Sequence, residues 1–158
     1  MATNNYSVNL ASDDIVKCND IIYLSISVNK DFASTEISIN YDVDKVEFNL
    51  AESTLGAACV SSKTSGLVKL VDFGEDKKAS QDNYILAFVA KEEGQADFYI
   101  SDAGFGTKES AVSEDLYKAD LPLEHTVIEV IPKQLSILDG VAGLFDFLLK
   151  IFYNIIES

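Results

Sequence analysis

The stretch Ser34-Thr-Glu-Ile-Ser-Ile-Asn-Tyr-Asp-Val-Asp-Lys-Val-Glu-Phe48 decides how the rest of the chain is interpreted. Apolar residues occupy every second position from Ile37 to Val43, so an extended strand would place them on one face and the polar residues on the other. Within Asp42-Val-Asp-Lys45, two aspartates favour a turn because their side chains accept hydrogen bonds from nearby backbone amides. Apolar alternation then resumes with shifted parity from Val46 to Leu50. The pattern predicts a strand, a turn and a second strand, with one face in a core.

The same alternation recurs along the chain between turn signals. Ile21-Ile-Tyr-Leu-Ser-Ile-Ser-Val28 is the clearest strand, and Tyr84-Ile-Leu-Ala-Phe-Val-Ala90 is apolar on both faces, as is typical of a central strand. Residues 74 to 78 are expected to form a solvated hairpin tip, and residues 104 to 110 a loop. About nine short strands predict an all-β sandwich of two sheets. The expected core contains Ile22, Leu24, Ile26, Ile37, Ile39, Tyr41, Phe88 and Phe98.

Tyr41-Asp42, three intervening residues and Val46-Glu47-Phe48 resemble the Tyr-Asp-Pro-x-x-Leu-Glu-(aliphatic) signature of cohesin modules. Val43 stands where the family usually has proline, and Val46 where it usually has leucine. The resemblance covers residues 6 to 131 and implies the jelly-roll form of the sandwich. Cohesins are extracellular modules that bind dockerin modules. The resemblance therefore implies a secreted or cell-surface recognition module, not an enzyme, with a dockerin-type partner.

The resemblance also implies a binding face on one sheet, formed by polar residues of the strand that precedes the Tyr-Asp signature. Ser34 and Glu36 stand seven and five positions before Tyr41, where the family commonly has Asn and Asp. Asp72 and Glu75, at the end of a neighbouring predicted strand, would extend this acidic face. Carboxylates accept charge-assisted hydrogen bonds, so we expect a partner with Ser/Thr and Lys/Arg donors. The alternative is that all four residues form only the solvated side of a sheet.

Composition limits the other functions. The chain has 158 residues, of which 47% are hydrophobic, which predicts one globular domain with an appendage. Lys and Arg number 12 against 26 Asp and Glu, and the net charge of -14 repels phosphate backbones, so nucleic acid is excluded as a partner. The alternative function is a cell-surface adhesin or carbohydrate-binding module with polysaccharide as its ligand. Residues 1 to 5 lack the pattern of a signal peptide, so none is expected there.

Few residues have the spacing that catalysis or metal binding requires. His125 is the only histidine and lies in a predicted strand without a nucleophile motif, so no catalytic residue and no cofactor is predicted. Cys18 and Cys59 are far apart and have no paired histidine, which argues against zinc and favours two buried free thiols over a disulfide. The Asp42-x-Asp44-x-x-Glu47 run lacks the length and glycine of a calcium loop, so a turn-stabilising role is favoured.

The C-terminal segment follows a helical period. Apolar residues recur at three- and four-residue spacing, and one narrow polar stripe remains. The stripe comprises Asp139, Asp146, Lys150, Tyr153 and Glu157. We therefore divide the chain into a cohesin-like sandwich at 1 to 132 and an amphipathic helix at 133 to 158. Asp146 and Lys150 disfavour a membrane span. Three roles remain for the apolar face of this helix. Self-association or partner contact ranks first, folding back onto the sandwich second, and lying at a membrane interface third.

Overall fold

The computed structural model describes residues 6 to 106, 117 to 119 and 123 to 133. They form eleven strands and a short 3-10 helix at Leu50–Glu52. The strands are β1 (Val8–Ala11), β2 (Ile15–Lys17), β3 (Ile21–Val28), β4 (Phe32–Tyr41), β5 (Val46–Phe48), β6 (Ala58–Ser62), β7 (Leu67–Lys77), β8 (Tyr84–Ala90), β9 (Gly94–Gly106), β10 (Tyr117–Lys118) and β11 (His125–Ile131).

The strands form two sheets that enclose one core. A four-stranded sheet has the order β1-β3-β8-β5, and a seven-stranded sheet has the order β2-β11-β9-β4-β7-β6, with β10 also paired to β9. Strand pairs are antiparallel except for β11 and β2, which are parallel. Both sheets contribute apolar residues to a single buried cluster. The predicted all-β sandwich of two sheets is confirmed.

Every side chain predicted for the core is buried. Aromatic rings fill its centre, where Phe88 of the four-stranded sheet meets Tyr41 and Phe98 of the other sheet and Phe48 of its own. The three ring centroids lie 5.1, 4.9 and 5.4 Å from that of Phe88. Tilted and edge-on aromatic contacts at such distances add stabilisation beyond the apolar area that they bury. The alternation in the sequence therefore identified the residues that hold the two sheets together.

Two segments predicted as turns are instead parts of strands. Residues 74 to 77, expected at a hairpin tip, extend β7, and Lys77 pairs with Phe32 of β4. Residues 104 to 106, expected in a loop, extend β9, and Gly106 pairs with Ser34 of β4. The long β4 offers backbone hydrogen bonds on both edges, and pairing with it outweighs the local preference of glycine and charged residues for turns.

The turn between β4 and β5 has the construction that its aspartates suggest. The backbone amide of Asp44 donates to Oδ1 of Asp42 over 2.9 Å, and the amide of Val46 donates to the Asp42 carbonyl over 3.0 Å. Glu47 is paired with Lys63, which lies in the turn that follows β6. The predicted turn-stabilising role is therefore confirmed for Asp42. Among the residues that the structure describes, no group of three or more His, Cys, Asp or Glu side chains could hold a metal ion.

The two cysteines are free thiols, as the sequence favoured. Each is half-buried, however, and not fully buried as expected. The Cys18 thiol donates to the backbone oxygen of Lys91 over 3.3 Å. Burial raises the pKa of the Cys59 thiol, which lies in β6. A raised pKa lowers the fraction of thiolate and therefore the reactivity of this side chain.

The second unit of the predicted division, an amphipathic helix at 133 to 158, lies outside the described residues except for Lys133. Its predicted contacts stay predictions. The described chain ends beside the turn between β2 and β3, where Lys133 Nζ lies 3.9 Å from Asp20 Oδ1. Within the ranges that the structure covers, no helix has the length and apolar character needed to cross a membrane.

Candidate functional site

The outer face of the seven-stranded sheet is the broad surface that points away from the core. In β4, Ile37, Ile39 and Tyr41 are buried, and the residues between them therefore point outward. Cross-strand pairing brings side chains of β6, β7 and β9 onto the same face. The centre of the outer face consists of Glu36, Ser38 and Asn40 of β4, Lys69 and Val71 of β7, Tyr99 and Asp102 of β9, and Val60 of β6.

A bulge in β9 determines which of its side chains reach this face. Ser38 pairs with Asp102 whereas the next residue, Ile39, pairs with Ile100, so Ser101 is the extra residue. Its hydroxyl donates to the Ser38 carbonyl over 3.3 Å. Without the extra residue, Tyr99 and Asp102 would point to opposite sides, because they are an odd number of positions apart. The bulge therefore brings a tyrosine and a carboxylate to the same surface.

Two acidic groups on the outer face are paired with lysines. Lys69 Nζ lies 2.5 Å from Glu36 Oε1, and Lys118 Nζ lies 2.7 Å from both carboxylate oxygens of Asp102. Nearby, His125 Nε2 and Asp97 Oδ1 are 3.0 Å apart. Exposed pairs of this kind contribute up to about 1 kcal/mol each to stability. The outer face therefore offers both signs of charge, because Lys69 and Lys118 lie beside the carboxylates of Glu36 and Asp102.

Exposed apolar side chains lie between these pairs. Of the large apolar residues that are exposed in the described chain, five lie on the outer face, with exposed fractions from 39% to 69%. They are Ile15, Val60, Phe73, Tyr99 and Val127. Apolar side chains that are interspersed with charged groups on a broad surface are typical of a protein interaction site.

The four residues predicted for partner binding occupy different environments. Glu36 lies on the outer face, as expected, and is half-buried beside Lys69. Ser34 has the same strand parity but is only 2% exposed, between Phe73 and Gly106 on the neighbouring strands. Its hydroxyl has no hydrogen-bond partner within the described part of the chain. Glu75 lies in β7 where the pairing with β4 changes register.

Asp72 points into the sandwich and not outward. It pairs with Thr35, whose hydroxyl donates to the Gly104 carbonyl over 2.9 Å in the interior. The buried Tyr84 hydroxyl donates to Asp72 Oδ2 over 2.8 Å, and Lys77 Nζ lies 3.4 Å from the same oxygen. Desolvation, and then this hydrogen bond, raise the pKa of Tyr84 far above its ordinary range. Asp72 therefore joins the two sheets, and its expected place on the same face as Glu36 is wrong.

Sequence reasoning also missed outer-face residues. The sequence reasoning did not predict four residues as binding residues, since only strand pairing shows that they share the outer face with Glu36: Val60, Lys69, Tyr99 and Asp102. A signal for Asp72 was present, because it has the parity of the buried Val68 and Leu70. This signal was missed because Val71 and Phe73, on either side of Asp72, are also apolar and suggested that the opposite face of the strand is the buried one.

Solved structures with the same fold are cohesin modules. One is a cohesin module of a family 33 glycoside hydrolase from Clostridium perfringens, with a TM-score of 0.65, 13% identity, and coverage of 83% of this chain and 100% of that chain. A type II cohesin domain from the cellulosome of Acetivibrio cellulolyticus has a TM-score of 0.56 and 11% identity, over 78% of this chain and 95% of the other. A non-cellulosomal cohesin from the archaeon Archaeoglobus fulgidus has a TM-score of 0.56 and 6% identity, over 79% and 91%.

The chain therefore has a cohesin-like fold, as the Tyr-Asp signature implied. No protein-family model matches it, and no curated protein matches it in sequence. At these low identities the similarity establishes the fold, and the residues of the outer face have to be judged by their own chemistry.

Proposed function

We propose that this chain, which has a cohesin-like fold, is a non-catalytic recognition module that binds a dockerin-type partner at the outer face of its seven-stranded sheet, outside the cell or at its surface. The observation that carries the proposal is the composition of that face. Exposed Tyr99, Val60 and Phe73 lie among the Glu36–Lys69 and Asp102–Lys118 pairs, on a rigid sheet. Interfaces combine such apolar contacts with polar groups that give specificity.

The chemistry of the face indicates what the partner must offer. Tyr99 supplies a large apolar surface with a polar tip, and aromatic residues of this kind often dominate binding energy. Glu36 and Asp102 have lysine partners already, so a ligand must compete with Lys69 and Lys118 or bind around them. The net charge of -14 attracts a basic surface at low salt. A partner with an apolar centre and Ser/Thr and Lys/Arg donors around it fits these conditions.

The residues predicted from the sequence have different roles in this proposal. Glu36 contacts the partner directly. Ser34 is buried at the end of the face where β4 and β7 change register, so it supports the strand pairing there and does not contact the partner. Glu75 lies in the same part of β7, and its role in partner binding stays a proposal. Asp72 supports the face from the interior through its bond with Tyr84.

The alternative, a carbohydrate-binding module, has less support in the exposed aromatic residues. Tyr99 lies on the outer face of the seven-stranded sheet, whereas Tyr23 lies on the outer face of the other sheet. Exposed fractions of 47% and 50% make the two tyrosines similar in access to solvent. Being on opposite sides of the sandwich, they do not form one stacking platform for a sugar chain. Phe73 shares the outer face with Tyr99, but the two residues pair with Ser34 and Asn40, which are six positions apart in β4.

These two tyrosines provide a matched test. A panel of purified dockerin modules is titrated into the full-length protein in a calorimeter, and a module that binds is then titrated into Tyr99→Ala, Glu36→Ala and Tyr23→Ala. We expect Tyr99→Ala to weaken binding at least tenfold, about 1.4 kcal/mol, and Glu36→Ala to weaken it less. Tyr23→Ala should leave the affinity unchanged.

The outcomes separate the hypotheses. Loss of affinity in Tyr23→Ala but not in Tyr99→Ala would place the binding site on the four-stranded sheet. Absence of binding across the panel, together with retention on insoluble polysaccharide, would favour the carbohydrate-binding alternative. Circular dichroism of each variant controls for loss of the fold.

A further inference from the structure

β6 is an edge strand with little protection against pairing. Within the described part of the chain it pairs with β7 on one side and has no strand on the other. Its pairing with β7 runs through five successive residues without a bulge, and Ala58–Ser62 contains neither a charged residue nor proline. Exposed edges normally carry lysine, proline or a bulge, because their free N–H and C=O groups can pair with another strand.

The other edge strands differ from β6 in what they expose. β2 contains Lys17, and β5 contains Glu47. β1 is uncharged, but its outward residues are the polar Asn9 and the small Ala11. β6 instead presents Val60, which is 69% exposed, the highest value for a large apolar residue in the described chain. β6 therefore combines unpaired backbone groups with an exposed apolar side chain.

We propose that β6 pairs antiparallel with β6 of a second copy of this chain, centred on Val60. Such a two-fold arrangement places Val60 opposite its own copy, Cys59 opposite Ser61, and Ala58 opposite Ser62. Every contact in this register is between apolar or small neutral side chains. A second copy fits the strand because these five residues are complementary to themselves in this register. Each chain carries a net charge of -14, but β6 has no charged side chain, so charge repulsion is least where the two strands meet.

The dimer has a consequence for the outer face. Residues directly opposite each other in antiparallel strands point to the same side of the sheet, so the two outer faces lie side by side on one continuous sheet. Such an assembly presents two copies of Glu36 and Tyr99 to the same side. A partner with two binding modules would then gain avidity. The pairing itself does not depend on dockerin binding.

A cysteine at position 60 tests the register directly. Val60→Cys is made in full-length protein that also carries Cys18→Ser and Cys59→Ser, and is then exposed to mild oxidant. We expect a disulfide-linked dimer, because directly opposed residues in antiparallel strands have Cα atoms about 4.5 to 5.5 Å apart, within the range of a disulfide. Asn9→Cys in the same background, on the uncharged edge β1, is the matched control and should stay monomeric.

Sedimentation velocity over a series of concentrations tests the association without cross-linking. Val60→Lys opposes two like charges across the two-fold axis and should raise the dimer dissociation constant at least tenfold. Val60→Thr keeps a β-branched side chain and should associate nearly as the wild type does. Added salt should strengthen the dimer, because it screens the repulsion between the two acidic chains.

Three results would overturn the proposal. One is a wild type that stays monomeric at all concentrations. Another is a Val60→Lys variant that dimerises as well as the wild type, which would indicate association through another segment such as residues 134 to 158. The third is cross-linking of Asn9→Cys as efficient as that of Val60→Cys.

Discussion

Replacement of Asp72 by alanine tests the most consequential difference between sequence and structure. If Asp72 lay on the solvated face, its removal would leave stability nearly unchanged. In the structure its side chain is 10% exposed and accepts the hydroxyl of the fully buried Tyr84 over 2.8 Å. The substitution Asp72→Ala therefore leaves a buried phenol hydroxyl without its acceptor.

The size of the effect follows from that unpaired hydroxyl. A buried polar group that loses its partner costs about 1 to 3 kcal/mol of unfolding free energy. For a domain of this size that corresponds to a decrease in Tm of roughly 2 to 4 °C per kcal/mol. The matched control is Glu36→Ala, which removes a carboxylate from the outer face and loses a surface ion pair worth up to about 1 kcal/mol. Asp72→Asn retains an oxygen acceptor and should lose less than Asp72→Ala.

The assay is equilibrium unfolding in urea followed by far-ultraviolet circular dichroism. Equal m-values in the variants would show that the free energies are comparable. Combining Asp72→Ala with Tyr84→Phe completes a double-mutant cycle, in which we expect a coupling energy of at least ~0.5 kcal/mol. A loss below ~0.5 kcal/mol for Asp72→Ala, or additive effects in the cycle, would refute the interior position of this carboxylate.

Three further predictions concern a turn, alkaline pH and the C-terminal segment. Gly66→Ala should destabilise the protein more than Gly56→Ala. Both glycines have a positive φ, +61° and +56°, which costs an alanine about 1 to 2 kcal/mol. At Gly66 the new Cβ would also lie 2.1 Å from the Tyr41 carbonyl oxygen, whereas at Gly56 it would meet no atom within 4 Å. Equal losses in urea unfolding would contradict this. The pKa of Tyr84 is raised in the folded state, so the unfolded chain releases this proton first, near its ordinary pKa of about 10. The contribution of Tyr84 to folding stability is therefore complete below that pH and declines above it. Between pH 9 and 11 the unfolding free energy of the wild type should fall by ~1.4 kcal/mol more than that of Tyr84→Phe, which has no phenol to ionise. The same decline in both proteins would show that Tyr84 ionises normally. A chain that ends before residues 134 to 158 should keep the β-type circular dichroism spectrum, and unfolding on truncation would instead indicate that this segment folds back onto the sandwich.

Much of the fold could be predicted because strand alternation is a local property. The predicted limits of Ile21–Val28 and Tyr84–Ala90 are those of β3 and β8, and the predicted core residues are buried. Each depends only on which neighbours in sequence are apolar. Residues 74 to 77 and 104 to 106 were missed because long-range pairing with β4 holds them in strands against their turn preference.

The candidate site was predicted less completely. Glu36 was expected on the outer face because it alternates with the apolar Ile37, Ile39 and Tyr41, and the structure places it there. The position of Tyr99 on the same face as Glu36 could not be predicted from either strand alone. It requires the pairing of β4 with β9 and the extra residue Ser101, which the sequence does not mark.

Local sequence patterns were enough to predict the two-sheet sandwich, its core and the turn at Asp42, because period-two alternation and side-chain hydrogen bonds within a turn act over a few residues. The cohesin-like form of the sandwich was implied by the resemblance of the Tyr-Asp signature. Which polar side chains share a surface depends on the tertiary structure. In the folded protein, Asp72 lies in the interior beside Tyr84, and Tyr99 and Asp102 lie on the same face as Glu36. The reason is physical: a strand's own pattern separates its two faces, but cross-strand neighbours depend on register, and a single extra residue reverses the face of every side chain beyond it.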